Sequence, residues 1–191
     1  KLGDINFWVN SKSYNLIENT HQALLLSIVD LIIGKSEYPP NWFKLKNKNA
    51  FLKIYKNLKV LVTGTTGFKG AWLAFWLNNI GARVSGFSLK PEKDAILFKA
   101  LDLNKKINQY YGNVNNFNHL NEVIKKEKPD IIFHLAAQSI VSKSYEEPLN
   151  TINTNVLGSA NILESFRLNN IPNLVYITSD KCYLNLDKKK N

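Results

Sequence analysis

Methionine is absent from all 191 positions, the first included. The chain is therefore expected not to begin where translation began and to be a piece of a longer product. Cysteine occurs once, at Cys182, which excludes an internal disulfide and a cysteine-based zinc site. The three histidines, His21, His119 and His134, are widely scattered, and no metal site is expected. The longest apolar run, Ala23 to Ile33, is broken by Ser27 and Asp30 and is too short to span a bilayer. The N-terminus lacks the basic-then-apolar layout of a secretory signal. Together these absences point to a reduced, cytoplasmic protein with no membrane partner.

Arginine is almost missing too. Of the 25 basic residues, only Arg83 and Arg167 are arginines; the other 23 are lysines. The net charge of +10 would suit a nucleic-acid partner, but a base-reading surface favours the bidentate arginine fork. Asparagine is equally abundant at 26 residues, and lysine and asparagine share AT-rich codons, so compositional drift accounts for the charge. No nucleic-acid binding is expected. Apolar residues make up 45% of the chain and charged residues 21%, a balance too apolar for disorder and ordinary for a folded domain.

The chain divides into two blocks, 1–50 and 51–191. In the first, Ile17, His21, Leu24, Ile28 and Leu31 recur at helical spacing, so residues 16–33 read as an amphipathic helix ended by Gly34. Pro39-Pro40 and the polar stretch from Lys44 to Asn49 read as a linker. The second block alternates strands and helices. Strands are expected at 58–62, 83–88, 107–113, 131–136 and 174–178. Helices are expected at 68–80, 94–103, 117–126 and 148–168. In the last helix Leu149, Ile152, Val156, Ala160, Leu163 and Phe166 mark an apolar stripe expected to face the core. This alternation predicts an α/β domain with a doubly wound parallel sheet, strand order 3-2-1-4-5, truncated at its C-terminus and preceded by an N-terminal helical extension.

The segment Thr63-Gly64-Thr65-Thr66-Gly67-Phe68-Lys69-Gly70 follows the first strand and opens a helix. Gly64 permits the tight turn, Gly67 a close approach of backbone to a pyrophosphate, and Gly70 close packing of helix on strand, with free amides facing the anion. Thr66, Phe68 and Lys69 complete this candidate dinucleotide loop. An NAD site places an acid near the end of the second strand, about 20 residues on. Ser88 stands there instead, with Lys90 close behind. Lys90 would suit the 2′-phosphate of NADP, or is one more solvated lysine. Asn113 and Val114 follow the third strand, and Asn113 offers a carbonyl acceptor; the resemblance of this glycine spacing to the extended short-chain dehydrogenase/reductases implies that they border the adenine.

At the end of the fourth strand, Leu135, Ala136, Ala137 and Gln138 are placed to let the nicotinamide half of the cofactor pass close to the backbone, while His134 reads as structural. Asn155, inside the long helix, is either a polar support of the site or an exposed helical asparagine. The fifth strand runs into Thr178-Ser179-Asp180-Lys181-Cys182-Tyr183, a polar run at the C-terminal end of a parallel strand, where ligands of such sheets bind.

The G-x-x-G-x-x-G spacing resembles the extended, sugar-nucleotide-modifying branch of the short-chain dehydrogenase/reductases. VLVTGTTGFKGAWLAFWL from Val60, HLAAQ from His134, SYEEP from Ser144, NTNVLGS from Asn153 and TSDKCY from Thr178 together resemble the CDP-glucose 4,6-dehydratases over residues 51–187. The sequence departs from that family at Thr65, where a histidine is usual and little consequence is expected because backbone makes the turn. It departs also at Ser142, where a basic residue is expected.

The resemblance implies a lyase of deoxysugar and surface-polysaccharide synthesis, acting on CDP-glucose with NAD. Such enzymes oxidise the sugar at C4, eliminate water across C5 and C6, and return the hydride to C6. By resemblance, Ser179 would hydrogen-bond the sugar near C4 and Asp180 would protonate the departing hydroxyl. Lys181 takes the place of a glutamate base, acting either as base or as electrostatic support of an enolate. The superfamily's Tyr-x-x-x-Lys pair is expected beyond residue 191. The one match, Tyr55 to Lys59, falls before and within the first strand. This chain alone is therefore expected to lack dehydratase activity, while the complete protein is expected to dimerise. A related epimerase or dehydratase, or a non-catalytic dinucleotide-binding module, are the alternatives. The N-terminal block resembles the last helix of sugar isomerase (SIS) domains, with His21 either in proton transfer or simply packed on an apolar face.

Overall fold

A computed structural model of the chain describes residues 53–92 and 95–178, all within the second of the chain's two units, Asn49–Asn191. The helix expected at 16–33, His21 and the Pro39–Asn49 linker lie outside the described residues.

Five short strands form one parallel sheet: β1 (Lys59–Thr63), β2 (Arg83–Ser88), β3 (Asn108–Tyr111), β4 (Ile131–His134) and β5 (Asn173–Tyr176). Their order is β3-β2-β1-β4-β5, as the alternating pattern predicts. Register pairs Lys59 with Arg83 and Thr63 with Phe87 on one side of β1, and Thr63 with His134 on the other. Every strand therefore points its C-terminus the same way, and the chain leaves the sheet on one edge at the glycine turn and at His134.

Side-chain alternation along the strands builds two cores. Val60, Val62, Val84 and Phe133 face one side, under α1 (Phe68–Asn79), α2 (Ile96–Ala100) and α3 (Leu103–Lys106). Leu61, Phe87 and Ile132 face the other, against α4 (Phe117–Glu127) and α7 (Gly158–Leu168). Helix α1 turns Gly70, Ala71, Ala74 and Leu77 to the sheet, the first three small enough to bring its axis close to β1. Leu120, Val123 and Ile124 of α4 are buried as expected. The 94–103 helix is instead two: the turn between α2 and α3 holds Asp102 in the left-handed region at φ 49°, which no continuous helix tolerates.

The 148–168 helix also departs from expectation. After a short α5 (Val141–Glu146), α6 (Pro148–Ile152) runs through a π turn (Asn153–Leu157) into α7, with Gly158 N–H donating to the Asn153 carbonyl. The wider turn shifts the helical phase. Leu149 is 76% exposed, Ile152 53%, Val156 59% and Leu163 50%, and Ala160 is exposed; only Phe166 of the expected stripe packs against the core. The sheet-facing side is instead Gly158, Ile162 and Ser165. Small residues on that side let the helix lie close to its neighbours: a Cβ at Gly158 would come within 2.6 Å of Val114 Cγ2. Among the described residues, no helix is long and apolar enough to cross a membrane.

Candidate functional site

The glycine turn lies at the C-terminal edge of β1. Gly64 adopts φ 76°, open to glycine without strain, and its N–H donates to the Phe87 carbonyl at 2.9 Å. Gly67 N–H closes the turn on the Gly64 carbonyl at 3.0 Å. A Cβ on Gly70 would overlap that same carbonyl, at 2.6 Å from its carbon, so residue 70 has to be glycine for α1 to start where it does. A Cβ on Gly64 would meet Ala136 N at 3.0 Å, which puts this turn against the loop after β4.

Helix α1 has no side-chain cap and no acid in its first turn. Its first intrahelical bond is Ala71 N–H to the Gly67 carbonyl, so the amides of Phe68, Lys69 and Gly70 have no acceptor within the helix. Gly67, Phe68 and Lys69 are exposed, Phe68 at 71%. The result is an open, donor-rich helix start with a cation on it, the arrangement that accepts a phosphate. Thr66 Oγ1 donates to the Leu89 carbonyl at 3.3 Å, tying the turn to the end of β2.

Thr65 does more than the sequence suggests. Its side chain is fully buried, and Oγ1 lies 2.8 Å from Gln109 Oε1 and 3.1 Å from Ser88 Oγ. Gln109 Nε2 donates to Ser88 Oγ at 3.1 Å and to the Tyr110 carbonyl at 2.8 Å. The expectation that position 65 matters little because backbone makes the turn is thus corrected: a buried side-chain triad fixes the turn to β2 and β3. Gly86 leaves room for it, since a Cβ there would overlap Gln109 Oε1. Ser88, 4% exposed, is a member of this triad, whereas Lys90 is exposed on the surface beside it.

Two further ties shape the loop after β4. Thr63 Oγ1 accepts from Leu135 N–H and Ala136 N–H, each at 3.1 Å. Its own proton is then directed to His134 Nδ1, 2.8 Å away, which leaves the imidazole proton on Nε2. Burial pushes His134 down to about 4, so it is neutral, and its ring packs on Tyr176 at 5.1 Å. Asn155 is tied to the loop after β4 rather than left to solvent. From the π turn, its Oδ1 accepts from Gln138 N–H at 2.8 Å and its Nδ2 donates to the Gln138 carbonyl at 2.9 Å. The Gln138 side chain donates to the Ile140 carbonyl and Thr151 Oγ1 and accepts from Ile140 N–H, so it is engaged within the loop. Ala137 is exposed.

Asn113 is exposed, but its side-chain carbonyl already accepts from Asn115 N–H at 2.9 Å. Val114 points into the second core, and its carbonyl accepts from Asn161 Nδ2. Thr178 is exposed past β5. Ser142 is exposed on α5. Ser179, Asp180, Lys181, Cys182 and Tyr183 lie outside the described residues. Tyr55 packs against Trp76 and Phe133, and burial raises its hydroxyl pKa; Lys59 opens β1 at the opposite edge of the sheet from the glycine turn. Their Tyr-x-x-x-Lys spacing is a packing coincidence. Among the described residues, no group of three or more His, Cys, Asp or Glu side chains is placed to hold a metal ion.

Residues 61–189 match the family model for GDP-mannose 4,6 dehydratase. The CDP-glucose 4,6-dehydratase of Salmonella typhimurium is 43% identical over 133 residues, covering 69% of this chain and 37% of that protein. Protein CapI of Staphylococcus aureus is 36% identical over 130 residues, covering 66% of this chain and 39% of that protein. Among solved structures, UDP-glucose 4-epimerase from Brucella ovis in complex with NAD superimposes with a TM-score of 0.57 at 25% identity, over 66% of this chain and 37% of that one. The chain thus spans about two fifths of the length of these relatives. The chain belongs to the GDP-mannose 4,6-dehydratase family of sugar-nucleotide dehydratases and epimerases.

Proposed function

We propose that the chain is the NAD-binding portion of a sugar-nucleotide 4,6-dehydratase whose substrate is a CDP-hexose, CDP-glucose being the first choice. The glycine turn carries the reading. Gly70 lets α1 begin directly beneath the Gly64 carbonyl, and Gly67 bares the first amides of α1. The turn would hold the pyrophosphate, with Thr66, Phe68 and Lys69 around it, while Leu135, Ala136 and Ala137 would border the nicotinamide half. When bound, NAD supplies a reversible hydride acceptor.

Asn113 and Val114 flank the adenine side. Since Ser88 is held inside a hydrogen-bonded triad and no acid stands at the end of β2, Lys90 leaves NADP as the alternative cofactor. Beyond β5, Ser179 would bind the sugar hydroxyl and Asp180 would donate the proton to the leaving hydroxyl. Lys181 would serve as base or as support for the developing enolate. The 43% identity to the Salmonella dehydratase supports this choice over an epimerase.

The exposed apolar face that runs from α6 through the π turn into α7, carrying Leu149, Val156 and Leu163, fits a second copy of the complete protein. A cytoplasmic site of action agrees with the nucleotide-sugar substrate.

The test is calorimetric titration of the full chain with NAD, NADP and CDP-glucose. NAD binding that Gly67→Asp abolishes supports the reading. Equal binding by the variant refutes the assignment of the turn, and stronger binding of NADP assigns the 2′-phosphate to Lys90.

A further inference from the structure

The edge of the sheet where the strands begin carries a feature that the dinucleotide site does not use. A cleft of about 490 Å³ opens there, at the starts of β1, β2 and β3. Lys59, Arg83, Lys106 and Lys126 line it, with Glu127 as its one carboxylate. Lys59 and Arg83 are register partners in adjacent strands. The Lys106 ammonium sits 5.0 Å over the Phe75 ring and that of Lys126 5.2 Å over the Tyr110 ring, contacts that favour a fixed position for each cation.

Glu127 makes no ion pair with this group. Its carboxylate accepts from Ser85 Oγ at 2.5 Å, Tyr110 OH at 2.6 Å and Asn108 Nδ2 at 2.9 Å, all neutral donors. Among the described residues, the ion pairs are Lys105 with Asp102 and Arg167 with Glu164, and neither involves the cleft. Four cations and one carboxylate leave the cleft's lining with a net charge of +3. From Lys59 to Thr63 the rise of a strand places this cleft about 13 Å from the glycine turn, too far for one pyrophosphate to serve both.

We propose that this cleft is a second anion site, for a ligand carrying two or more phosphate groups. Arg83 supplies the planar fork that grips two phosphate oxygens at once, and the lysines supply point charges around it. A single phosphate would leave most of this charge unmatched, and the cleft's volume suits a diphosphate or the diphosphate of a nucleotide. The inference does not depend on the dinucleotide reading.

The experiment is calorimetric titration of the full chain with inorganic pyrophosphate, and separately with CDP, at low and at physiological salt. Wild type, Gly67→Asp and the double variant Arg83→Gln/Lys126→Gln, alone and in the Gly67→Asp background, are compared, with circular dichroism confirming that each is folded. The expected result is pyrophosphate binding that Gly67→Asp retains and that Arg83→Gln/Lys126→Gln, added in the Gly67→Asp background, weakens at least tenfold, with NAD titration of the double variant unchanged. Equal affinity for CDP assigns the site to the phosphates alone; tighter CDP binding extends it to a nucleotide, and both support the proposal. Absence of binding, loss of binding in Gly67→Asp, or binding that Arg83→Gln/Lys126→Gln leaves unchanged in the Gly67→Asp background overturns it. So does much tighter binding of a single-stranded oligonucleotide that competes with pyrophosphate, which would make this edge an extended polyanion surface.

Discussion

Replacing Thr65 by valine keeps the side chain's shape and β-branching while deleting one hydroxyl. That hydroxyl is fully buried, 2.8 Å from Gln109 Oε1 and 3.1 Å from Ser88 Oγ. Gln109 Oε1 then loses its buried partner, in a spot packed tightly enough that a Cβ on Gly86 would overlap it. Leaving a buried acceptor unsatisfied costs about 1–3 kcal/mol. Thr65→Val should therefore lower unfolding free energy by roughly 2 kcal/mol, measured by urea denaturation. Gln109→Met, which keeps an unbranched side chain, should cost a similar amount. Because the two side chains share one network, the double variant should lose less than the sum, by about 1 kcal/mol in a double-mutant cycle. A Thr65→Val loss below about 0.5 kcal/mol, or additive losses, would show that the triad is not the anchor of the turn.

Other predictions rest on single groups. His134 is held neutral at about 4 by burial, against an ordinary value of 6.5, so the unfolded chain binds its proton first as pH falls. Stability should be full above pH 6.5 and decline by roughly 3 kcal/mol down to pH 4, where the loss levels off; urea midpoints across that range should show the slope, and His134→Asn should flatten it. Gly70→Ala should cost upwards of about 2 kcal/mol and abolish NAD binding by calorimetry, since its Cβ would overlap the Gly64 carbonyl; a variant of wild-type stability contradicts the geometry. Asn155→Leu removes both bonds to the Gln138 backbone and should weaken NAD binding about tenfold while Gln138 amide exchange accelerates. Unaltered exchange would show that the loop is held by other contacts.

How far the sequence could be read depended on the range of the interaction. Strand order followed from alternating elements and from the handedness of crossovers, which need no distant contact to be known. The glycine turn was legible because each glycine has a local reason: a positive φ at Gly64, a helix start at Gly67, a packing contact at Gly70. Thr65 was not legible, since its partners lie 23 and 44 residues away and a turn residue carries no local sign of them. The stripe along α6 and α7 was legible as apolar but not as exposed. Periodicity reports that a face avoids water, not which surface covers it. Here the sheet side of the helix is built from Gly158, Ile162 and Ser165, and the apolar stripe turns outward. The π turn at Asn153–Leu157 shifts that phase by its extra residue, and no composition rule marks it.

Three side-chain ties converge on the cofactor edge of the sheet. Thr65 fixes the glycine turn to β2 and β3, Thr63 fixes the Leu135–Ala136 backbone to β1, and Asn155 fixes Gln138 to the helix. Each tie ends on a backbone amide or on a buried polar group, so breaking it leaves an unpaired group in place of a water contact. The two loops that border the proposed cofactor therefore hold their shape by bonds internal to the chain. A ligand entering such a cradle has little loop ordering to pay for, and its contact energy appears as affinity. The same logic separates the two ends of the sheet. At the strand starts, polar ties hold Glu127 to Ser85, Asn108 and Tyr110, out of any ion pair with the cations of the cleft; at the strand ends, they hold backbone and leave amides facing outward. Variants at either end should then move anion binding at that end alone, because the strands between them are packed on both faces and shift little.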